Sequence, residues 1–211
     1  MSSGSIQQAI IMGNVASISA DVNLLLDEGI NSQQILDEQL LPGMAIVGER
    51  FKRNEMFLPQ VLMSAQAMQT AIDILKPYLA GNTEARERKT VIIGTVKGDM
   101  HDIGKNLVRI MLIGAGFEVI DLGVNVPAQR FLEASSQHQA AVVCLSALLS
   151  STMNNMKEVV EAFRNHPDLK ATKILIGGAP VSREFSQSIG ADGYAPTAPA
   201  AVERVQQFCG Q

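Results

Sequence analysis

The sequence predicts an α/β protein in two parts: a helical bundle over residues 1–80, then a doubly wound domain with a five-stranded parallel sheet over residues 90–211. Three observations predict this. Apolar residues in the first part recur every three or four positions, the spacing of a helix with one buried face. Beyond Thr90, short β-branched runs alternate strictly with helical segments, the pattern of a parallel sheet covered on both faces. Between them lies the polar, charged stretch Gly81-Asn-Thr-Glu-Ala-Arg-Glu-Arg-Lys89, opened by Gly, which predicts a linker over 81–89.

In the helical part, Val15, Ile18, Val22, Leu25 and Leu26 define the first amphipathic segment, and Gly29 is placed to end it. Asn31 or Ser32 can then cap a second helix through Ile35, Leu36, Leu40, Met44 and Val47, with Pro42 as a kink or a start. A third helix opens near Met56–Pro59 and runs to about Leu79, so a bundle of about four helices is expected. In the second part, strands are predicted at Val91–Val96, Phe117–Leu122, Ala141–Leu145, Ile174–Ile176 and Gly193–Ala195. Helices are predicted between and after them, near Ile103–Ala115, Ala128–His138, Met153–Asn165, Ser182–Ile189 and Pro199–Phe208. Five such units suit a flavodoxin-like, Rossmann-type sheet, in which ligands bind at the carboxyl ends of the strands beside the switch point.

Composition narrows the function. Apolar residues are 46 % of the 211, enough for a sizeable core, but aromatics are only 4 %, so aliphatic and Met side chains must fill most of it. The net charge of -4, with both signs mixed along the chain, argues against nucleic acid as a partner, because phosphate binding needs concentrated positive charge. No apolar run approaches the roughly 18 residues of a membrane span, and the first ten residues lack a signal peptide's charged and apolar regions. A cytoplasmic protein with no membrane partner is expected. Cys144 lies in an apolar run and reads as a small buried hydrophobe; with Cys209 it makes neither a disulfide framework nor a zinc spacing.

The most informative segment is Gly94-Thr-Val-Lys-Gly-Asp-Met-His-Asp-Ile-Gly-Lys105, which joins a predicted strand to a predicted helix. Asp99 and His101 are spaced so that the carboxylate can take one ring N–H while the other nitrogen faces a metal; such a bond fixes the tautomer and strengthens the ligand. Gly104 lets the loop approach a flat ligand closely. These are also ordinary turn residues, and Asp102 can simply cap the next helix. One His and one Asp cannot close a zinc site, so further metal ligands would have to come from a cofactor. His138 and His166 fall in or after helices, away from the strand ends, and read as surface residues.

Asp99-x-His101-x-x-Gly104, then Ser146-x-Leu148, then Gly177-Gly178 resemble the three-part signature of cobalamin-binding domains, falling after strands one, three and four. Val47 to Val61 resembles the helical cap of the same proteins, so the likeness runs from about Ile11 to Phe208. The chain is most similar to the stand-alone corrinoid proteins that serve methyltransferases for methylamines, quaternary amines, methanol or methoxylated aromatics; the cobalamin-binding module of methionine synthase is a more distant likeness. The resemblance implies a cobalamin or related corrinoid whose cobalt takes His101 as lower axial ligand in place of the cofactor's own base. It implies Asp99 on the far nitrogen of His101, and Thr152, or else Ser150 or Ser151, extending that relay. Met100, Asp102, Ile103, Gly104 and Leu148 would line the corrin, Ser146 would bond the displaced base, and Gly177 and Gly178 would leave room for its tail. Ala195 and Thr197 are further candidates there.

On the cap, the resemblance assigns Phe51 and Leu58 to the methyl face of the corrin, with Met56 and Val61 as further candidates. Phe51 and Leu58 are seven residues apart, which puts them on similar sides of one helix unless Arg53-Asn54 breaks it. The implied function is a carrier, not catalytic alone, that shuttles a methyl group through Co(I) and methyl-Co(III) from a methylated or quaternary amine to a folate or thiol. The implied partners are a substrate:corrinoid methyltransferase, a methylcorrinoid:folate or thiol methyltransferase, and a reductive activase. The alternative is a cobalamin-dependent sensor; its usual DNA-binding segment and cap Trp are not expected here. A mutase small subunit would lack the cap, and a receiver domain would need an Asp where Ser146-Ala-Leu148 stands.

Overall fold

The structure is a computed structural model that describes residues 4–79 and 88–210. The described residues form two compact units, one helical and one α/β. Of the expected linker at 81–89, residues 81–87 lie outside the described residues.

The helical unit comprises α1 (Gly4–Met12), α2 (Val15–Asp27), α3 (Ser32–Ile35), a π-helical turn (Leu36–Leu40), α4 (Leu41–Lys52) and α5 (Leu58–Leu79). Ile6, Ile10, Ile18, Val22, Leu36, Leu40, Val47, Val61 and Leu75 are fully buried or nearly so and form its apolar interior. Helix α1 falls ahead of the first segment expected from the sequence; it is short and uncharged, and its buried Ile6, Ala9 and Ile10 carry it. Asn14 caps α2 by accepting the Ser17 N–H, and Asn31 caps α3 by accepting the Gln33 N–H. Gly29 ends α2 in a left-handed conformation, with the Gly29 and Ile30 N–H groups donating back to Leu26 and Leu25. The second expected helix is present with a difference. Its wide turn comes just before Pro42, whose ring in a regular helix would strike the carbonyl four residues back.

The α/β unit comprises β1 (Thr90–Thr95), α6 (Ile103–Gly114), β2 (Glu118–Asp121), α7 (Ala128–Gln137), β3 (Val142–Ser146), α8 (Asn154–Asn165), β4 (Lys173–Gly177), α9 (Arg183–Ser188), β5 (Gly193–Ala195) and α10 (Ala198–Cys209). The strands are all parallel in the order β2-β1-β3-β4-β5, as the flavodoxin-like fold requires. The chain leaves β1 in one direction and β3 in the other, so their following loops part and open a crevice between them. The register aligns Ile92, Val143 and Ile174 on one face of the sheet, packed with Phe131, Val159 and Phe163 of α7 and α8. Ile93, Cys144 and Leu175 align on the other. Both faces are buried, which is why these strands read as continuous apolar runs.

Candidate functional site

Three loops meet at the carboxyl end of the sheet. After β1, Val96 pairs with Val126 in an isolated bridge, and the chain turns so that the Asp99 N–H donates to the Val96 carbonyl. Gly98 makes this turn possible at φ +81°, the left-handed region that glycine enters without strain. The Thr95 hydroxyl donates to the His101 carbonyl at 2.8 Å and closes the loop from the other side.

Asp99 is fully buried and His101 is half exposed, its side chain retaining 50 % of its accessible surface. Nδ1 of His101 lies 2.7 Å from Oδ1 of Asp99, and the His101 backbone N–H donates to the same oxygen at 3.1 Å. The other oxygen, Oδ2, accepts the backbone N–H of Leu148 at 2.7 Å, that of Leu149 at 3.1 Å and the Thr152 hydroxyl at 2.7 Å. Thr152 has one proton and a second acceptor in reach, the Leu149 carbonyl at 2.9 Å, but the charged oxygen is the stronger acceptor. Burial alone would raise the Asp99 pKa. The hydrogen bonds from Thr152, His101 and Leu148 outweigh it and hold the carboxyl well below the usual carboxylate range. An ionised Asp99 accepts at Nδ1–H, which fixes the neutral ring's free lone pair on Nε2.

A cavity of about 600 Å³ opens beside this pair, in the size range of small-molecule pockets. His101, Asp102, Ile103, Gly104, Leu107 and Val108 line one side; Ser146, Ala147 and Leu148 follow from β3; Gly177, Gly178, Ala195, Thr197 and Ala201 line the rest. Ile93, Cys144 and Leu175 form its floor on one face of the sheet. Met100, Ile103 and Leu148 stand 66 %, 70 % and 44 % exposed around the imidazole, an apolar rim that nothing in the unit covers. The glycines differ in kind. A Cβ on Gly104 would meet no atom within 4 Å, and its backbone is not left-handed, so the fold itself does not demand glycine there. Gly178, at φ +136°, would drive a Cβ to 1.9 Å from the Ala147 carbonyl oxygen. On Gly177 the limit is the Ala195 carbonyl at 3.0 Å.

The structure thus brings Asp99, Met100, His101, Asp102, Ile103, Gly104, Ser146, Leu148, Gly177, Gly178, Ala195 and Thr197 to one strand-end crevice. Thr152 makes the bond to Asp99, while Ser150 and Ser151 are exposed. Leu148 and Leu149 reach Asp99 through backbone N–H groups, which any residue there could supply. Thr197 is committed to capping α10, where its hydroxyl accepts the Ala200 N–H. His138 and His166 stand at the carboxyl ends of α7 and α8, partly exposed, at the opposite rim. Sequence reasoning missed the buried Lys105, whose ammonium donates to Asp121 at 2.6 Å and to Asn106 at 2.7 Å, tying α6 to β2 beside the cavity.

On the helical unit, Phe51 and Leu58 are half-buried, and Met56 and Val61 are buried. The expectation that Phe51 and Leu58 share one helix face is corrected. Helix α4 stops at Lys52, Asn54 takes a left-handed φ of 59°, and the Asn54 and Glu55 N–H groups donate back to Phe51 and Arg50. Asn is among the few residues that enter this conformation readily, so the break lies in the sequence itself.

A doubly wound sheet that offers one carboxylate-held imidazole to an apolar crevice is the form of a cobalamin-binding domain. Residues 89–203 match the family described as B12 binding domain, and residues 4–76 match a second family of the same description. A corrinoid protein of Desulfitobacterium hafniense is 38 % identical over 208 residues, 98 % of this chain and 96 % of its own length. A dimethylamine corrinoid protein of Methanosarcina acetivorans is 37 % identical over 86 % of this chain and 84 % of its own. Among solved structures, a cobalamin-binding protein of Desulfitobacterium hafniense superposes with a TM-score of 0.72 at 31 % identity, covering 98 % of both chains. The methanol:cobalamin methyltransferase complex of Methanosarcina barkeri gives a TM-score of 0.84 at 29 % identity, over 98 % of this chain and 79 % of that one. The chain belongs to the family of B12-binding corrinoid proteins whose members serve methylamine and methanol methyltransferase systems.

The residues present fit that cofactor. No cluster of three or more His, Cys, Asp or Glu side chains among the described residues could hold a metal unaided, so a metal at His101 has to arrive with its other ligands already attached. The open space at Gly104, the apolar rim and the strand-end cavity are what a large flat ligand with a tail needs. No helix among the described residues is long and apolar enough to cross a membrane.

Proposed function

We propose that this chain is a methyl carrier that binds cobalamin with its nucleotide base displaced and His101 as the lower axial ligand. The observation that carries the reading is the 2.7 Å contact of Asp99 with Nδ1 of a half-exposed His101, which leaves Nε2 at the cavity as the available donor atom. Bound cobalamin would supply a cobalt that takes up and gives up a methyl group. The chain's own part is to hold and release the imidazole. Asp99, itself held by Thr152, keeps the ring proton on Nδ1 and so would leave the Nε2 lone pair for the cobalt. The methyl donor we propose is a methylated or quaternary amine, supported by relatives named as dimethylamine and trimethylamine corrinoid proteins. A substrate:corrinoid methyltransferase would load the carrier, a second methyltransferase would pass the methyl to a folate or thiol, and a reductive activase would restore lost reducing equivalents. Ser146, Gly177, Gly178 and Ala195 would take the displaced tail. The cap's contribution is proposed from the sequence resemblance: Phe51, Leu58, Met56 and Val61 as the apolar cover of the methyl group. The domain limits we propose are 1–80 and 90–211, with 81–89 as the joint.

The test is reconstitution with hydroxocobalamin. The wild-type chain should bind it and show the visible spectrum of a base-off, imidazole-coordinated corrinoid; His101→Ala should bind weakly or show the free-cofactor spectrum. Equal affinity and an identical spectrum in both would refute the ligand role. The amine assignment is checked by incubating loaded carrier with the methyltransferase encoded beside it and a panel of methylated amines and methanol. Methylation from methanol alone would overturn it.

A further inference from the structure

Two side chains outside the signature grip the turn that carries Asp99. Three consecutive residues, Lys97, Gly98 and Asp99, are each held from another segment. Asn155, at the start of α8, donates from Nδ2 to the Lys97 carbonyl at 2.5 Å. Asn125, between β2 and α7, accepts the Gly98 N–H on Oδ1 at 2.8 Å, and its own backbone N–H donates to the Asp99 carbonyl at 2.9 Å. Asn125 does both from a left-handed φ of 55°, a conformation that a β-branched side chain would not tolerate. Lys97 and Gly98 are exposed, while Asp99 beside them is buried. The Asp99 carboxylate is anchored by the β3 loop and the His101 carbonyl by Thr95, so the bonds from Asn125 and Asn155 fix the peptides that lead into this pair.

We propose that Asn125 and Asn155 are positioning residues that set the height and tilt of the His101 imidazole at the cavity by clamping the Lys97–Asp99 turn from both sides. The inference rests on the reading of His101 as cobalt ligand and extends it to residues that touch neither the cofactor nor the imidazole. Asn125→Gly keeps the left-handed backbone and the donor to Asp99 while removing the Gly98 acceptor. Asn155→Leu keeps the side-chain size while removing the donor to Lys97.

The full chain, wild type and variants, is reconstituted with hydroxocobalamin and reduced to Co(II). With 15N-histidine in the chain, a two-line nitrogen splitting in the paramagnetic resonance spectrum then reports the axial imidazole, apart from the three lines of the cofactor's own 14N base. Each single variant should lower the ratio of imidazole-coordinated to uncoordinated cobalamin by about fivefold, the factor set by one hydrogen bond of ordinary net strength, and the double variant by more than either. The thermal midpoint of each cofactor-free chain is measured alongside. A lowered midpoint with an unchanged splitting in the loaded fraction would mean the clamp serves folding alone and would overturn the inference. Wild-type protein without any protein-derived nitrogen splitting would overturn the ligand reading itself, and the inference with it. Wild-type splitting retained in full by both variants would remove the inference and leave the ligand reading standing.

Discussion

Two glycines of one signature should respond in opposite ways to the same substitution, Gly→Ala. At Gly178 the added methyl meets the Ala147 carbonyl oxygen at 1.9 Å, and the backbone sits at φ +136°. A non-glycine residue held in so sparsely populated a region costs about 1–3 kcal/mol. Forcing the neighbouring backbone aside adds about 1–3 kcal/mol more. Together these remove about 2–6 kcal/mol from a fold whose total stability is of order 5–15 kcal/mol. At Gly104 the methyl meets nothing within 4 Å, and the residue lies in the first turn of α6 with an ordinary backbone. Ala is there worth up to about 1 kcal/mol in helix propensity. Urea denaturation of the cofactor-free chain should therefore show Gly178→Ala strongly destabilised and Gly104→Ala unchanged or slightly more stable. Cobalamin retention should fall in Gly104→Ala, because the methyl occupies space the protein leaves open. A destabilised Gly104→Ala chain, or one that retains cobalamin as wild type does, would refute the assignment of that space to a ligand.

Thr152→Val should cost about 1.5–3 kcal/mol in denaturation of the cofactor-free chain, the range for a hydrogen bond to a charged group, with Thr152→Ser losing much less; equal midpoints for the three chains would contradict the 2.7 Å bond to Asp99. The hydrogen bonds that hold Asp99 below its ordinary pKa make the unfolded chain the better proton binder in acid. Stability from this group is therefore complete above its unfolded pKa of about 3.9 and is lost as pH falls towards the lower native value. An acid titration of stability should be shallower below about pH 4 in Asp99→Asn than in wild type. Burial, and to a smaller degree the nearby Cys209, pushes the Cys144 thiol up to about 12. At mildly alkaline pH iodoacetamide should label Cys209 ahead of Cys144 in the folded chain and both alike in urea, as mass spectrometry of the peptides would record.

The strand order and the place of the site were legible because each rested on a local pattern. β-branched runs such as Val91–Val96 mark parallel strands, and a polar loop such as Gly98–Asp102 after the first of them marks the binding rim. What was not legible depends on partners distant in sequence. Asn125 and Asn155 sit 27 and 58 residues from the atoms they bind, so no spacing announces them. The N–H groups of Leu148 and Leu149 carry no side-chain signature at all. Lys105 reads as one more surface cation until Asp121 is folded against it. Helix α1 is too short for periodicity to speak, and only the packing of Ile6 and Ile10 reveals it. The break after Lys52 was visible as Arg53-Asn54 but not decidable, since Asn tolerates both helix and left-handed turn.

Five donors converge on the two oxygens of Asp99, and a carboxylate has about four lone-pair sites to give. It has nothing left to offer a visitor. A ligand entering the crevice therefore makes its hydrogen-bonded link to the carboxylate through the imidazole. The one carboxylate also ties the two loops together, because Oδ1 takes its donors from the β1 loop and Oδ2 from the β3 loop.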